Sequence, residues 1–546
     1  MENDTEKTRT VGVHMKELTV ILLSINLLAA GCSFLDENPR DQIPEGEAYG
    51  DKTLLYVNTV AAVTGMTGGN AESEGLQGTY RGVYDFNTFS SDEAVIPTRG
   101  GDWYDGGFWQ SLAMHSWTED DSALKNTWNY LYKVIILCNK SLETIEDSPL
   151  PSEKEKREWC AELRALRAMY YYYLTDMFGR VPLITKSSES IGSVGQSDRS
   201  SVAGFIVTEL AAAVPYLTEK RSTRPGEQYG HINKAAAYFL LAKTALNCEV
   251  YFNDGNEGRR TAGKDIKFVV DGQETDAWKA TEAWCGKIRE LGYRLDDDFA
   301  MPFSVHNEES EENIFTIPMD KNLYTNQFQY HFRSLHYDHG AALGFACENG
   351  ACATTETLDD FAYGTPDQDS RFSLTFFADT VKNLSGETVT MTDGKPLVYH
   401  AREVRLVLNG SRYEKTAGAR MYKYAADPTA TKDSRLRDND IVLFRYADVL
   451  LMEAEAAIRE DPDGGREKAA ALIGEVRARA GMPPIEPTLE NILSERRREL
   501  CWEGWRRQDI IRFGKWTGNT TLFPIPADIL SLNHGMSQNP GYRKAD

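Results

Sequence analysis

Apolar residues recur at spacings of three and four along most of this chain, with polar residues between them, and that period predicts helices. Leu124–Glu146 and Glu153–Phe178 read as two long helices, the second closed by Gly179 and Pro182. Val202–Leu217 and Asn233–Val250 form another pair; in the latter, Ala235, Ala236, Ala237, Ala242 and Ala245 leave room for a close neighbour. Thr53–Gly65, Thr275–Leu291 and Arg466–Ala480 are also helical. Glu311–Ile317 reads as a strand, and Glu387–Leu408 alternates enough for a small hairpin. The expected class is mostly α, with tetratricopeptide-type helix pairs, loops and a few short strands; no strict repeat period is visible.

One stretch mixes the two residue classes in an unusual way. Ile492–Trp516 places Ile492, Leu493, Leu500, Cys501, Trp505 and Ile511 at helical spacing, with eight or more charges between them. Read as one helix, it brings Glu495 near Arg498, Glu503 near Arg507 and Arg506 near Asp509. A solvated helix has no use for so many large apolar residues. The stretch is therefore expected to be partly buried, its charges paired and locking neighbouring elements, because buried charge is costly unless paired.

The same stretch carries a resemblance. Glu495-Arg-Arg-Arg-Glu-Leu500, Glu503-Gly504, Arg507, Asp509 and Arg512-Phe-Gly514 resemble the C-terminal signature of the SusD/RagB-like family, outer-membrane nutrient-binding lipoproteins of Bacteroidetes-type bacteria. Leu522-Phe-Pro-Ile-Pro526 and Gln538-Asn-Pro-Gly-Tyr542 resemble its closing motif. Arg164, Arg167, Tyr170–Tyr173 and Gly179-Arg-Val-Pro-Leu183 resemble its N-terminal signature, and Arg445-Tyr-Ala-Asp-Val-Leu450 with Glu453–Ala456 its third. The tyrosine run wraps every side of its helix and reads as packing. The resemblance implies a SusD-like helical fold, with 32–300 and 301–546 as halves of one compact unit.

Residues 1–31 read as an extension and leader. Met15 is taken as the start, and Leu18–Ala30 is an apolar run well short of the roughly 20 residues that span a bilayer. The run closes on Leu28-Ala-Ala-Gly-Cys32, which resembles a bacterial lipobox, so Cys32 is the expected lipidation site. Of the other cysteines, Cys138, Cys160, Cys248, Cys285 and Cys501 lie on helix-like stretches and read as buried thiols. Cys347 and Cys352, flanking the Asn349-Gly350 turn, are open to disulfide formation.

The 546 residues are 41% hydrophobic and 26% charged, a globular composition, and the net charge of −22 argues against nucleic acid or an anionic membrane surface as the main partner. Two clusters carry candidate chemistry. In the first, two glycine pairs, at 100–101 and 106–107, break regular structure, yet Trp103, Tyr104, Phe108 and Trp109 fall within seven residues. Phe108 and Trp109 are assigned to the core, Trp103 to an exposed platform with Tyr104 and Asp105 beside it. The second cluster holds Tyr324, Asn326, Tyr330, His336 and Tyr337, with Gln327 and Gln329 among them. Aromatic planes stack on the apolar C–H face of a pyranose, while amides and carboxylates take its hydroxyls.

His331, His336 and His339 match no metal-ligand spacing, and Gly258–Lys264 approaches a phosphate-binding loop but continues with Asp265 in place of its Ser or Thr. No nucleophile or zinc-protease motif is present, and neither cofactor nor metal is expected. The family resemblance implies a non-enzymatic cell-surface lipoprotein of the outer membrane. It would bind an oligosaccharide or polysaccharide and deliver it to a SusC-like TonB-dependent transporter. A peptide ligand, as for RagB-like relatives, is the alternative; a glycoside hydrolase ranks third, since it needs only two well-placed carboxylates.

Overall fold

The computed structural model describes residues 45–68, 75–77, 81–254, 260–323, 326–430 and 435–543. The leader, Cys32 and Tyr324 lie outside the described residues, as does the first part of the Gly255–Lys264 loop. The chain divides into two compact units, 1–58 and 59–546. In the first, Asp51 caps the short helix Lys52–Tyr56 by accepting from the Thr53 and Leu54 amides at 2.7 and 2.9 Å.

The second unit is built on helices α1 (Ser122–Asp147), α2 (Glu153–Phe178), α3 (Arg199–Ala213), α4 (Lys234–Leu246), α5 (Ala277–Glu290), α6 (Tyr446–Glu460), α7 (Arg466–Arg479), α8 (Leu489–Leu500) and α9 (Arg506–Arg512). From α1 to α7 each packs on the next, as the helix-pair expectation requires. Ser152 opens α2 with a capping box: its hydroxyl accepts from the Glu155 amide, and the Glu155 carboxylate accepts from the Ser152 amide at 2.8 Å. Tyr170–Tyr173 are all buried, so the tyrosine run is packing. Gly179 ends α2 at φ 71°. A Cβ there would lie 2.6 Å from Leu522 Cδ1, so the glycine admits the closing motif, whose Phe523 amide donates to Met177 O at 2.8 Å.

Strands are short. Asn313–Ile317 pairs antiparallel with Ile441–Arg445, every residue of both buried, and the second strand runs straight into α6. The expected hairpin at 387–408 forms earlier: Asp379–Thr380 pairs with Val398–Tyr399, with single bridges Lys382–Thr388 and Thr390–Pro396 between them.

Ile492–Trp516 is not one helix. α8 stops at Leu500 and α9 begins at Arg506, because Trp502 and Gly504 take left-handed φ values of 67° and 75°. The burial and pairing of its charges hold. Glu495 does bond Arg498, at 2.8 Å. The other two expected pairs are replaced by partners from distant segments. Glu503 bonds Arg445 at 2.7 Å and Lys423 at 2.5 Å, Arg507 bonds Asp176 of α2 at 2.8 Å, and Arg506 bonds Asp92 at 2.7 Å. Asp509 is held by Arg496 and Arg512, at 2.9 and 2.7 Å. Arg512 also takes Glu455 of α6, and Arg496 takes Asp448. The motifs read at the sequence level thus join one another inside the fold.

The turn between α8 and α9 also buries a carboxyl. Glu93 accepts from the Trp502 amide at 2.9 Å, and burial pushes its pKa up to about 7 despite nearby Lys423, Arg506 and Arg497. A carboxyl whose folded pKa exceeds its unfolded value, about 4.3, favours the native state when protonated. Its contribution is present below the unfolded value and is lost as pH rises to 7. Glu93→Gln therefore gains stability relative to the parent on going from pH 5 to pH 8, by up to about 3 kcal/mol, as read by urea unfolding across that range.

Candidate functional site

The aromatic loop is placed by a two-residue ladder, Ala94–Val95 against Cys352–Ala353. After it, the Arg99 and Asp102 backbones bond each other across Gly100 and Gly101, both left-handed, at 3.1 and 3.3 Å. This turn sends Asp102 outward and Trp103 inward. Trp103 is only 7% exposed, so it is not the exposed platform expected. Its indole N–H donates to Glu348 O at 2.7 Å, and its ring meets Trp109 edge-on at 5.8 Å. Gly350 makes the space: a Cβ there would lie 2.5 Å from Trp103 Cε2. Trp109 is fully buried, as expected, and donates to Asp105 at 2.7 Å; Phe108 is half-buried. Tyr104 is the exposed ring of the loop, at 61%.

Opposite stands the helix Tyr337–Leu343, capped by His336, whose Nδ1 accepts from the Asp338 amide at 3.2 Å. Tyr337 is half-exposed, and its hydroxyl donates to Asp102. The Lys415 ammonium bonds the same carboxylate at 3.0 Å and lies 5.6 Å from the Tyr337 ring centre. Gly101, Asp102, Trp103, Asp105, Tyr337 and Glu348 line a hollow of about 390 Å³. The Tyr337 hydroxyl and Lys415 hold the Asp102 carboxyl below the usual range. Burial raises that of Glu348, and the neighbouring Asp102 and Asp105 charges add to it.

Three of the expected residues, Trp103, Asp105 and Tyr337, therefore meet at one hollow, with Tyr104 exposed between the first two. Others do not. Tyr330 belongs to the core: it stacks on Tyr424 at 5.3 Å, meets Tyr84 edge-on and donates to Gln77 at 2.9 Å. Asn326 donates to Pro318 O at 3.3 Å, and Gln329 donates to Gln327 at 2.8 Å, so these amides serve each other and the backbone. His336 is buried beneath Tyr337, at 6% exposure. His331 bonds Tyr422 O and His339 bonds the Tyr399 hydroxyl. Cys347 and Cys352 are separate free thiols. Cys347 packs with Leu335, Leu343 and Phe345, and the Cys352 sulfur accepts from Arg99. Asp102, Glu348 and Lys415 were not foreseen. Asp102 and Glu348 lay within segments already singled out; Lys415 carried no sequence signal.

Stacked helix pairs below a loop-built, carboxylate-rimmed aromatic hollow define a helical scaffold with its chemistry on loops. The family described as "SusD family" matches residues 311–522, and the one described as "Starch-binding associating with outer membrane" matches 34–246. The chain belongs to the SusD/RagB-like family. It is 23% identical over 541 residues to the starch-binding protein SusD of Bacteroides thetaiotaomicron, covering 90% of each chain. It is 25% identical over 459 residues to SusD-like protein P25 of Formosa agariphila, covering 77% of this chain and 80% of that one. Its fold is that of a solved laminarin-binding SusD-like protein, with TM-score 0.69 and 23% identity over 90% of this chain and 100% of the other. It also matches surface glycan-binding protein A of B. thetaiotaomicron, with TM-score 0.66 and 20% identity over 90% and 99%.

Proposed function

We propose that this protein is a carbohydrate-binding, non-catalytic lipoprotein of the outer membrane, anchored through Cys32, that captures an oligosaccharide outside the cell. It passes the ligand to a SusC-like TonB-dependent transporter. The observation that carries the reading is the hollow itself. Segments far apart in sequence bring a half-exposed tyrosine face, Tyr337, and three carboxylates, Asp102, Asp105 and Glu348, around one space, with the exposed Tyr104 next in the chain to two of its lining residues. A hydroxyl-rich ring needs that combination: an apolar face to stack and paired acceptors for its hydroxyls. The names of the relatives, which bind starch and laminarin, agree with it. No described helix is long and apolar enough to cross a membrane, and anchoring through a lipid on Cys32 requires none.

The test is calorimetry of the form beginning at Ser33 against neutral and charged glycans and a peptide pool, with analysis of the recovered ligand. Saturable heat from a glycan recovered intact is the expected result. Shortened sugars would replace capture with hydrolysis, and heat from peptides alone would make the ligand a peptide. For the anchor, palmitate labelling of cells is expected to disappear in Cys32→Ala.

A further inference from the structure

Beside the hollow, across the Tyr337–Asp102–Lys415 divide, lies a larger bay of about 660 Å³. One wall is the turn 391–396, the other the loop 412–416, and His336 forms part of the lining. The bay is lined by three carboxylates, Asp338, Asp393 and Glu414, and three cations, Lys395, Arg412 and Lys415, and of the cations Lys395 and Lys415 are ion-paired, with Asp393 and Asp102. Asp393 is neutralised by Lys395, whereas Asp338 and Glu414 turn their oxygens to neutral protein donors and keep their charge. Asp338 accepts from the Thr392 amide and hydroxyl at 3.0 and 2.9 Å, and Asp393 accepts from the Lys395 amide and pairs with its ammonium at 3.1 Å. Glu414 accepts from the Gly410 amide at 2.5 Å. Arg412, by contrast, has no carboxylate partner among the described residues. It is exposed, and its guanidinium lies 5.3 Å from the Tyr413 ring centre.

Two more cations stand behind the loop wall. Arg99 and Arg420 are fully buried, and neither has a carboxylate within ion-pair distance among the described residues. Their hydrogen bonds end on carbonyl oxygens and one thiol. Arg99 donates to Gly350 O, Glu414 O, Ala417 O and the Cys352 sulfur; Arg420 donates to Ser334 O, Gly350 O and Lys415 O. Two of those carbonyls, Glu414 O and Lys415 O, belong to the loop that walls the bay. Carbonyl dipoles solvate a guanidinium without cancelling its charge, so the field of the pair extends into the bay through low-dielectric protein. The effect registers on His336: burial, then Arg420, Lys415 and Arg99, lower its pKa to about 4, against the opposing pull of the Asp338 carboxylate 3.8 Å away. The ring is therefore neutral at pH 7. Its Nδ1 accepts from the Asp338 amide, which places the proton on Nε2 as a donor with no protein partner among the described residues. The net charge of −22 does not override this, since charges farther off than about 8 Å are screened at physiological salt.

We propose that the bay is an anion subsite: it receives a carboxylate or sulfate group of a sugar whose neighbouring ring occupies the hollow, held by Arg412, Lys415 and the His336 Nε2 donor. This deepens the carbohydrate reading and rests on it. The planar guanidinium fork suits either acid group. The class of ligand is then an acidic glycan, uronic or sulfated, rather than a purely neutral one.

The test pairs each acidic oligosaccharide with its neutralised twin on the Ser33 form: oligogalacturonides before and after carboxyl reduction, and carrageenan oligosaccharides before and after desulfation. At least one acidic member binds ten times or more tighter than its twin, and that preference shrinks with added salt. The arm that responds says whether the group is carboxylate or sulfate. In Arg412→Ala, an exposed position that leaves folding intact, the acidic-to-neutral affinity ratio falls at least tenfold; in Arg412→Lys it falls less. Neutral glycans bound as well as their acidic twins, or a ratio indifferent to Arg412→Ala, overturn the subsite and leave the carbohydrate reading standing. Silence from every glycan overturns both.

Discussion

Replacing Arg445 with methionine destabilises the protein by about 3–5 kcal/mol, the usual cost of breaking a buried ion pair from one side. Arg445 ends a fully buried strand and meets three carboxylates: Glu312 and Glu499 at 2.6 Å each, and Glu503 at 2.7 Å. Methionine fills much of the volume but leaves those charges in the interior with fewer cations. Lys423 still serves Glu503, Arg479 and Arg371 still serve Glu499, and Arg479 still serves Glu312. This residual pairing keeps the loss near that range rather than beyond it. Urea unfolding at pH 7 measures it. Arg466→Ala, which removes an exposed pair with Glu486, changes little by comparison.

The pH dependence of that loss has a definite sign. Burial opposes ionisation of Glu499, but Arg479, Arg445 and Arg371 outweigh it and hold the carboxyl well below its usual range. A depressed carboxyl contributes stability that is present above its unfolded pKa, about 4.3, and lost as pH falls toward the folded value. Arg445→Met removes part of that contribution. The gap between parent and variant is therefore widest above pH 5 and narrows on acidification below 4. A gap constant from pH 7 to pH 3 would show that lost packing, not charge, sets the effect.

The same residues explain what the sequence could and could not reveal. Helical spacing found most of the helices because their apolar stripes are local. It also flagged the charged stretch at 492–516, since large apolar residues beside so many charges signal burial. It misassigned two of the three ion pairs there, because spacing knows only neighbours on one helix. Arg445, Asp176 and Asp92 arrive from elsewhere, and the left-handed Trp502 breaks the helix that the spacing assumed. The family motifs proved to be the partners in this network, so they report the fold more than the ligand.

The site was legible only where one loop supplied several of its parts. Trp103, Tyr104 and Asp105 stand together in sequence, but which ring faces inward depends on a cleft left by Gly350, far along the chain. Tyr330 looked equivalent to Tyr337 in a run of polar and aromatic residues. Tyr84, Tyr424 and Gln77 claim the first for the core, while Asp102 holds the second at the surface. Lys415 joined the site through tertiary structure alone.

That distinction decides which substitution tests the hollow. Trp103→Ala removes a buried ring whose N–H is tied to Glu348 O, so a weaker ligand signal would mix lost binding with a loosened loop. Tyr337 is the cleaner probe, being 39% exposed and lining the hollow. Tyr337→Ala lowers affinity for the bound glycan by about 2 kcal/mol, the scale of a central aromatic contact, or roughly 30-fold. Tyr337→Phe keeps the stacking face and loses only the hydroxyl bond to Asp102, so its effect is a few-fold at most. Calorimetry of the three proteins with one oligosaccharide separates the contributions. If Phe weakens binding as much as Ala does, the hydroxyl and the Asp102 position it fixes matter more than the ring face, and stacking at this position is refuted. If Ala binds like the parent, the ligand lies elsewhere and the hollow is not its seat.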